Sequence, residues 1–280
     1  MDKSHEYANE ILDYYNGGAE KDRLQRGIGQ IEFERTKELI LRYLAAEKQV
    51  IYDIGGGIGV YSRWLAEMGH EVHMFELAPE AAKYAMEMCE AHPSFKYNIE
   101  VADARQLNRP DNSADLVLLM GPLYHLTERS ERIKALREAK RVLKKNGVIV
   151  VSAISRFGSA LWGLSVYGDK NDFIEDDDFM EMIGRELTDG QHIRPKKYPY
   201  FVARAFFHTP AELKDEMEEA CLSYERIAAV EGPVWIVPAF EEKWARLESR
   251  ARLLEICRMV EEQESLIGMS PHFLAIARNK

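Results

Sequence analysis

The stretch VIYDIGGGIGVYSRWL, residues 50–65, constrains the chain more than any other. An apolar run ending in Asp53 and Ile54 is followed at once by Gly55, Gly56, Gly57 and Gly59, and then by an amphipathic pattern. The run reads as a buried strand and the pattern behind it as a helix, so the glycines occupy a strand-to-helix turn. Without Cβ atoms such a turn lets the backbone approach a bound molecule, while the helix start offers N–H donors and the positive end of a dipole. A ligand is therefore expected here. A dinucleotide fingerprint would require a third glycine where this chain has Val60, which disfavours a nicotinamide cofactor.

Strand and helix patterns alternate from Val50 to Ser155. VIYDI is followed by a helix to Met68, EVHMFEL, a helix from Pro79 to Ala91, IEVADA, ADLVLLMG, a helix from Arg129 to Leu143 and GVIVVSAI. KKNG, with Gly147 past the helix end, reads as that last helix's stop signal. Five strands joined by helices at short spacing imply right-handed crossovers and a parallel sheet. We expect a helical cap over residues 1–48, a ligand-binding core over 49–155, a helical or irregular insertion over 156–208 that covers the sheet edge, and a return to the core over 209–280. That last part should contain a helix from Pro210 to Ala220, the strand SYERIAAV, a long helical stretch from Pro238 to about Glu264, and the apolar run HFLAIARN.

Composition narrows the class of partner. A net charge of −10 argues against a dedicated nucleic-acid binder, because phosphate contacts need a basic face. Cys89, Cys221 and Cys257 lie far apart and form no CxxC pair, so neither a disulfide framework nor a metal site is expected. No signal-peptide pattern or membrane-length apolar run is evident, and a cytoplasmic protein without membrane partners is the expectation. The acidic run Asp172 to Glu181 and the basic RPKK at Arg194 to Lys197 read as solvated faces.

Asp53-x-Gly55-x-Gly57-x-Gly59 resembles the first motif of the class I S-adenosylmethionine-dependent methyltransferases. Glu76, 21 residues beyond Gly55 and followed by Leu77, ends the second strand, where a carboxylate can accept both ribose hydroxyls. VADARQL places Asp103 and Ala104 after the third strand, where that family holds the adenine amino group. ADLVLLMGPLYHL is similar to its fourth motif, with Met120 and Gly121 beside the methionine part of the cofactor. The resemblance implies an α/β, doubly wound, Rossmann-like seven-stranded mixed sheet in which HFLAIARN runs antiparallel. It also implies S-adenosylmethionine as cofactor, S-adenosylhomocysteine as product, and Asp53 near the cofactor's ammonium end.

The implied reaction is methyl transfer to N, O, S or C of a small-molecule acceptor. Two alternatives remain: a methyltransferase acting on RNA or protein, which would need an exposed groove, and a non-catalytic S-adenosylmethionine-binding protein. His125 follows the fourth strand, and a near-neutral pKa there would suit proton removal from the acceptor. It could equally close the loop by hydrogen bonding. Tyr124 shares that location. Tyr14 and Tyr15 in the cap, and Trp162, Tyr167 and Trp235 in the later segments, are candidate substrate contacts that would serve as well in the small core of a cover. Arg23, Glu32 and Arg35 could anchor a ligand through the cap, although solvated helix faces explain them equally well.

Overall fold

The computed structural model describes residues 22–92, 95–166 and 170–280. Tyr14, Tyr15 and Tyr167 lie outside the described residues. The centre is a seven-stranded sheet in the order β3-β2-β1-β4-β5-β9-β8. Its strands are β1 (Val50–Ile54), β2 (Glu71–Glu76), β3 (Asn98–Val101), β4 (Ala114–Leu119), β5 (Leu143–Ile154), β8 (Ser223–Ala229) and β9 (His272–Arg278). The first five are parallel, as the alternation implied, and β9 runs antiparallel, as the resemblance implied, between β5 and β8.

The strands read as near-continuous apolar runs because both faces are covered. Ile51, Leu116 and Val150 point to one layer with helices α1 (Gly29–Leu41) and α2 (Val60–Glu67). Tyr52, Val117 and Ile149 point to the other, packed by α5 (Arg129–Val142) and α8 (Pro210–Glu219). From β1 the chain moves one way to β2 and β3, and then returns to place β4 on the other side. The point of reversal is the crevice between the carboxyl ends of β1 and β4, where open α/β sheets bind ligands. Helix α3 (Pro79–Ala91) follows β2, and the short α4 (Pro122–His125) follows β4.

Three local expectations are corrected. KKNG does not end the helix: α5 stops at Val142 and β5 begins at Leu143. The β4–β5 register then jumps from Ala114↔Leu143 to Leu116↔Val148. The intervening residues bulge out because Lys144 pairs with Asp115 at 2.7 Å and Asn146 takes a left-handed φ of 63°. The insertion is not only helical and irregular. Besides α6 (Gly158–Ser165) and α7 (Asp177–Asp189) it holds an antiparallel hairpin, β6 (Gln191–Ile193) with β7 (Arg204–Phe206). Its core gathers Phe173, Phe179, Met182 and Ile183. The long helix expected from Pro238 breaks at Arg246, whose backbone is extended, into α9 (Phe240–Ala245) and α10 (Leu247–Val260); a last turn, α11 (Glu264–Ile267), follows.

The acidic and basic runs of the insertion answer each other rather than a ligand. Asp176 caps α7 by accepting from the amides of Asp178 and Phe179. Lys197 reaches Asp176 and Asp178 at 2.5 and 2.8 Å.

Candidate active site

The glycine turn is tied to its neighbour strand before any ligand is considered. The N–H groups of Gly55 and Gly56 both donate to the carbonyl of Phe75, at 2.7 and 3.2 Å. Gly55 sits at φ +79°, and a Cβ there would meet Pro122 Cδ at 2.4 Å, so the turn after β1 and the turn after β4 touch only because no side chain intervenes. Gly57, at φ +59°, would point a Cβ into open space with nothing within 4 Å. That space is the cleft.

Two of the carboxylates that line it, Asp53 and Glu76, are differently held. Glu76 accepts from the amides of Gly57 and Ala78, both at 2.8 Å, which fixes it at the end of β2. Asp53 is fully buried; its Oδ2 accepts from Ser62 Oγ at 2.6 Å, while Oδ1 has no partner among the described residues. Burial pushes the Asp53 carboxyl up to about 6; the nearby charge of Glu76 adds to this and the Ser62 hydrogen bond opposes it. An orphaned acceptor beside a second acid suits a donor-rich cationic group.

The cleft, about 250 Å³, runs from this pair past Asp103 and Ala104 on one side to Met120, Gly121 and Tyr124 on the other. Leu77 exposes 45% of its surface there, an apolar face for a flat ring to lie on. Asp103 is gripped by Arg105, whose Nε lies 2.9 and 3.1 Å from the two carboxylate oxygens and whose other arm reaches Glu131 at 2.6 Å. These bonds outweigh partial burial and hold the Asp103 carboxyl below the usual range. Tyr124 donates its hydroxyl to the carbonyl of Met120 at 3.3 Å. The larger hollow of about 540 Å³ near Lys48, Glu71 and Asn98 lies at the amino ends of β2 and β3, the edge where parallel sheets do not build ligand sites.

Residues 52–151 match the family model of the methyltransferase domain. A ubiquinone biosynthesis O-methyltransferase of Xanthomonas euvesicatoria is 27% identical over 204 residues, 72% of this chain and 72% of that protein. An S-adenosylmethionine-dependent methyltransferase of Methanosarcina mazei superposes with a TM-score of 0.58 at 21% identity, over 86% of this chain and 96% of that one. One from Mesorhizobium loti superposes with a TM-score of 0.56 at 18% identity, over 87% and 97%. The chain is a class I S-adenosylmethionine-dependent methyltransferase. The orphaned Asp53 Oδ1 and the open space in front of Gly57 fit such a cofactor.

Around the cleft, the methyltransferase departs from one expectation about its chemistry. His125 is not near neutral: desolvation pushes its imidazole down to about 4, opposed by a backbone hydrogen bond with Arg204. Arg204 belongs to β7, and β6 sends Gln191 to the carbonyl of Thr127 at 3.2 Å, so the hairpin that the sequence did not reveal is what covers this histidine. The loop is also held from below. Arg132 donates to the carbonyls of Leu126 and Thr127 at 2.9 and 2.8 Å and pairs with the buried Glu216 at 2.6 Å. His208 is on the same carboxylate at 3.2 Å.

The two described tryptophans singled out from sequence do not enter the methyltransferase's cofactor cleft. Trp162 and Trp235 meet instead at a second cavity of about 200 Å³, beside Ile154 at the end of β5 and His272 at the start of β9. Arg23 was not separable from a solvated residue by sequence. It lines the cofactor cleft and holds Glu32 with two nitrogens, at 2.5 and 2.9 Å. Arg35, by contrast, is fully buried against Glu38 and Glu261, away from both cavities. Tyr61 also lines the cleft and was missed, because its place in the first turn of α2 reads as ordinary helix. Glu32, Glu231 and His272 bring three ligand-type atoms within 4.8 Å, but Arg23 already occupies Glu32 and Ser270 already donates to Glu231. The cluster is therefore a closed set of ion pairs. Among the described residues no helix is long and apolar enough to cross a membrane.

Proposed function

We propose that the enzyme methylates an oxygen of a small organic acceptor. The observation that carries this reading is the pairing of two pocket-sized hollows at the carboxyl ends of neighbouring strands, the cofactor cleft at β1 and β4 and the aromatic-walled cavity at β5. A macromolecular acceptor would call for an open groove, and for RNA a basic one. The O-methyltransferase relative supports oxygen as the acceptor atom.

In this reading Glu76, held by two amides, accepts from the ribose hydroxyls. Asp103 and the Ala104 backbone meet the adenine over Leu77. The glycine turn, Asp53 and the backbone of Met120 and Gly121 hold the methionine end, with Arg23 within the same cleft as a counter-charge for its carboxylate. Bound there, S-adenosylmethionine supplies an activated methyl group on a sulfonium. The protein then has to aim at it an oxygen that has already lost its proton to bulk water, and exclude water from the transfer itself. Tyr124, fixed through the Met120 carbonyl, walls the path. His125, neutral above pH 5, fixes the loop rather than taking a proton.

The test is a screen with isotopically labelled S-adenosylmethionine against phenols and catechols, total RNA and a protein extract. Label in a small-molecule ether supports the reading; label in RNA or protein alone overturns it.

A further inference from the structure

The second cavity carries more information than its position. Its walls are aromatic: Trp162, Phe201, Phe207 and Trp235 all line it. Trp162 packs with Phe173 and Phe201 at ring separations of 4.9 and 5.4 Å, and the Trp235 indole is anchored by donating to the carbonyl of Met269 at 2.8 Å. A dry cavity of about 150 Å³ is enough for benzene, so 200 Å³ has room for one ring and a substituent.

One wall is polar. His272 pairs with Ile154 across the β5–β9 ladder, and both residues line the cavity. Its Nδ1 lies 2.7 Å from Glu231 and 3.8 Å from Glu32. Glu231 is itself fully buried and accepts from Ser270 Oγ and from the His272 amide. Arg23 lies on the far side of Glu32. These carboxylates hold the imidazole as the cation against its desolvation, pushing it up to about 9. With Nδ1 committed to Glu231, the second N–H of the ring, on Nε2, makes no hydrogen bond to a described residue and is left for an occupant of the cavity.

We propose that this cavity is the acceptor site and takes a single aromatic ring bearing an anionic oxygen substituent, which the Nε2–H of His272 grips while the aromatic walls clamp the ring. The proposal rests on the methyltransferase reading for the identity of the occupant as acceptor. Register supports it. Leu119 pairs with Val151 and Ile154 with His272, so Met120 and His272 are two strands and two residues apart, about 12 Å at ordinary strand spacings. The reach of the imidazole, a hydrogen bond and one substituted ring together span that distance toward the cofactor cleft. A cationic acceptor is disfavoured because the donor it would face is already positive.

The experiment uses the full chain saturated with S-adenosylhomocysteine, whose binding is measured first by calorimetry. A dihydroxybenzoate with adjacent hydroxyls, its neutral amide and its aminomethyl counterpart are then titrated by quenching of tryptophan fluorescence. The benzoate should bind about tenfold tighter than the amide, from the charge-assisted hydrogen bond, and the ammonium compound most weakly. His272→Gln should shrink the benzoate-to-amide preference below about threefold without changing S-adenosylhomocysteine affinity. Trp162→Ala should weaken all three probes alike. Equal affinity for the three probes, or no binding of any of them by a protein that binds S-adenosylhomocysteine, overturns the proposal, whatever the variants do. Discrimination without methyl transfer from S-adenosylmethionine would leave the anion-selective ring site standing and instead sink the reading of an active small-molecule methyltransferase.

Discussion

The amide of Gly57 donates to Glu76 Oε2 at 2.8 Å, so the glycine turn after β1 and the acid that ends β2 form one unit. In the proposed site that acid has two tasks: it accepts from the ribose and it holds the turn. Glu76→Ala should weaken S-adenosylmethionine binding by about 1.5 to 3 kcal/mol, the worth of lost charge-assisted hydrogen bonds. Glu76→Gln, which keeps an acceptor oxygen, should lose less. Calorimetry on both variants decides it, and an unchanged dissociation constant in a folded Glu76→Ala protein would remove the residue from the site.

Gly55 and Gly57 should respond differently to the same substitution. At Gly55 a methyl group would collide with Pro122 at 2.4 Å, so Gly55→Ala should lower both thermal stability and cofactor affinity. At Gly57 the methyl meets no protein atom. The left-handed backbone should cost about 1 to 2 kcal/mol, while the group protrudes into the cleft and blocks cofactor. A Gly57→Ala protein that binds S-adenosylmethionine normally would show that the cofactor does not lie against this turn.

These two residues also show what the sequence could reveal. Apolar runs ending in Asp53, Glu76 and Met120 mark strand ends, because strands buried on both faces must be apolar throughout. From them the sheet and the cleft follow. The hairpin of β6 and β7 was hidden, since two strands of three residues leave too short an alternation to separate from irregular chain. With it was hidden the cover that desolvates His125. Trp162 and Trp235 read equally as pocket walls or as the core of a cover, and their meeting beside His272 depends on β9 lying next to β5, a long-range pairing that no local pattern encodes. Arg23 shows the same limit, because an arginine ahead of a helix looks alike whether it faces solvent or a cleft.

Asp53 makes stability depend on pH in a defined sense. Its carboxyl titrates near 6 in the folded chain, raised by burial from an ordinary 3.8. Between those values the folded state keeps a proton that the unfolded chain has released. This group's contribution to stability therefore falls as pH rises through that window, and above it is unfavourable by roughly 3 kcal/mol. Asp53→Asn, which does not titrate and can still accept from Ser62, removes that term. Urea denaturation should show the variant gaining on the native protein by about this amount between pH 4 and pH 7, while its cofactor affinity falls. A difference in stability that is flat with pH would mean that Asp53 is ionised in the fold at an ordinary value.

His125 separates a chemical role from a positional one. A general base works best with a pKa near the operating pH and typically contributes about 10² to 10⁴ in rate. Desolvation under the β6–β7 hairpin places this imidazole at about 4, so it is neutral but a weak proton acceptor throughout the range in which the enzyme would be assayed. Its ring packs edge-on against Tyr124 at 4.7 Å, and Tyr124 in turn holds the Met120 carbonyl. Loss of the ring should therefore disturb the cofactor wall more than a proton transfer. His125→Asn should keep turnover within about tenfold of native, below the usual worth of a base, while raising the KM for S-adenosylmethionine, and the plot of kcat against pH should keep its shape from pH 6 to 9. A loss of 10² or more in kcat at unchanged cofactor affinity, with a pH limb that disappears in the variant, would instead make His125 the base.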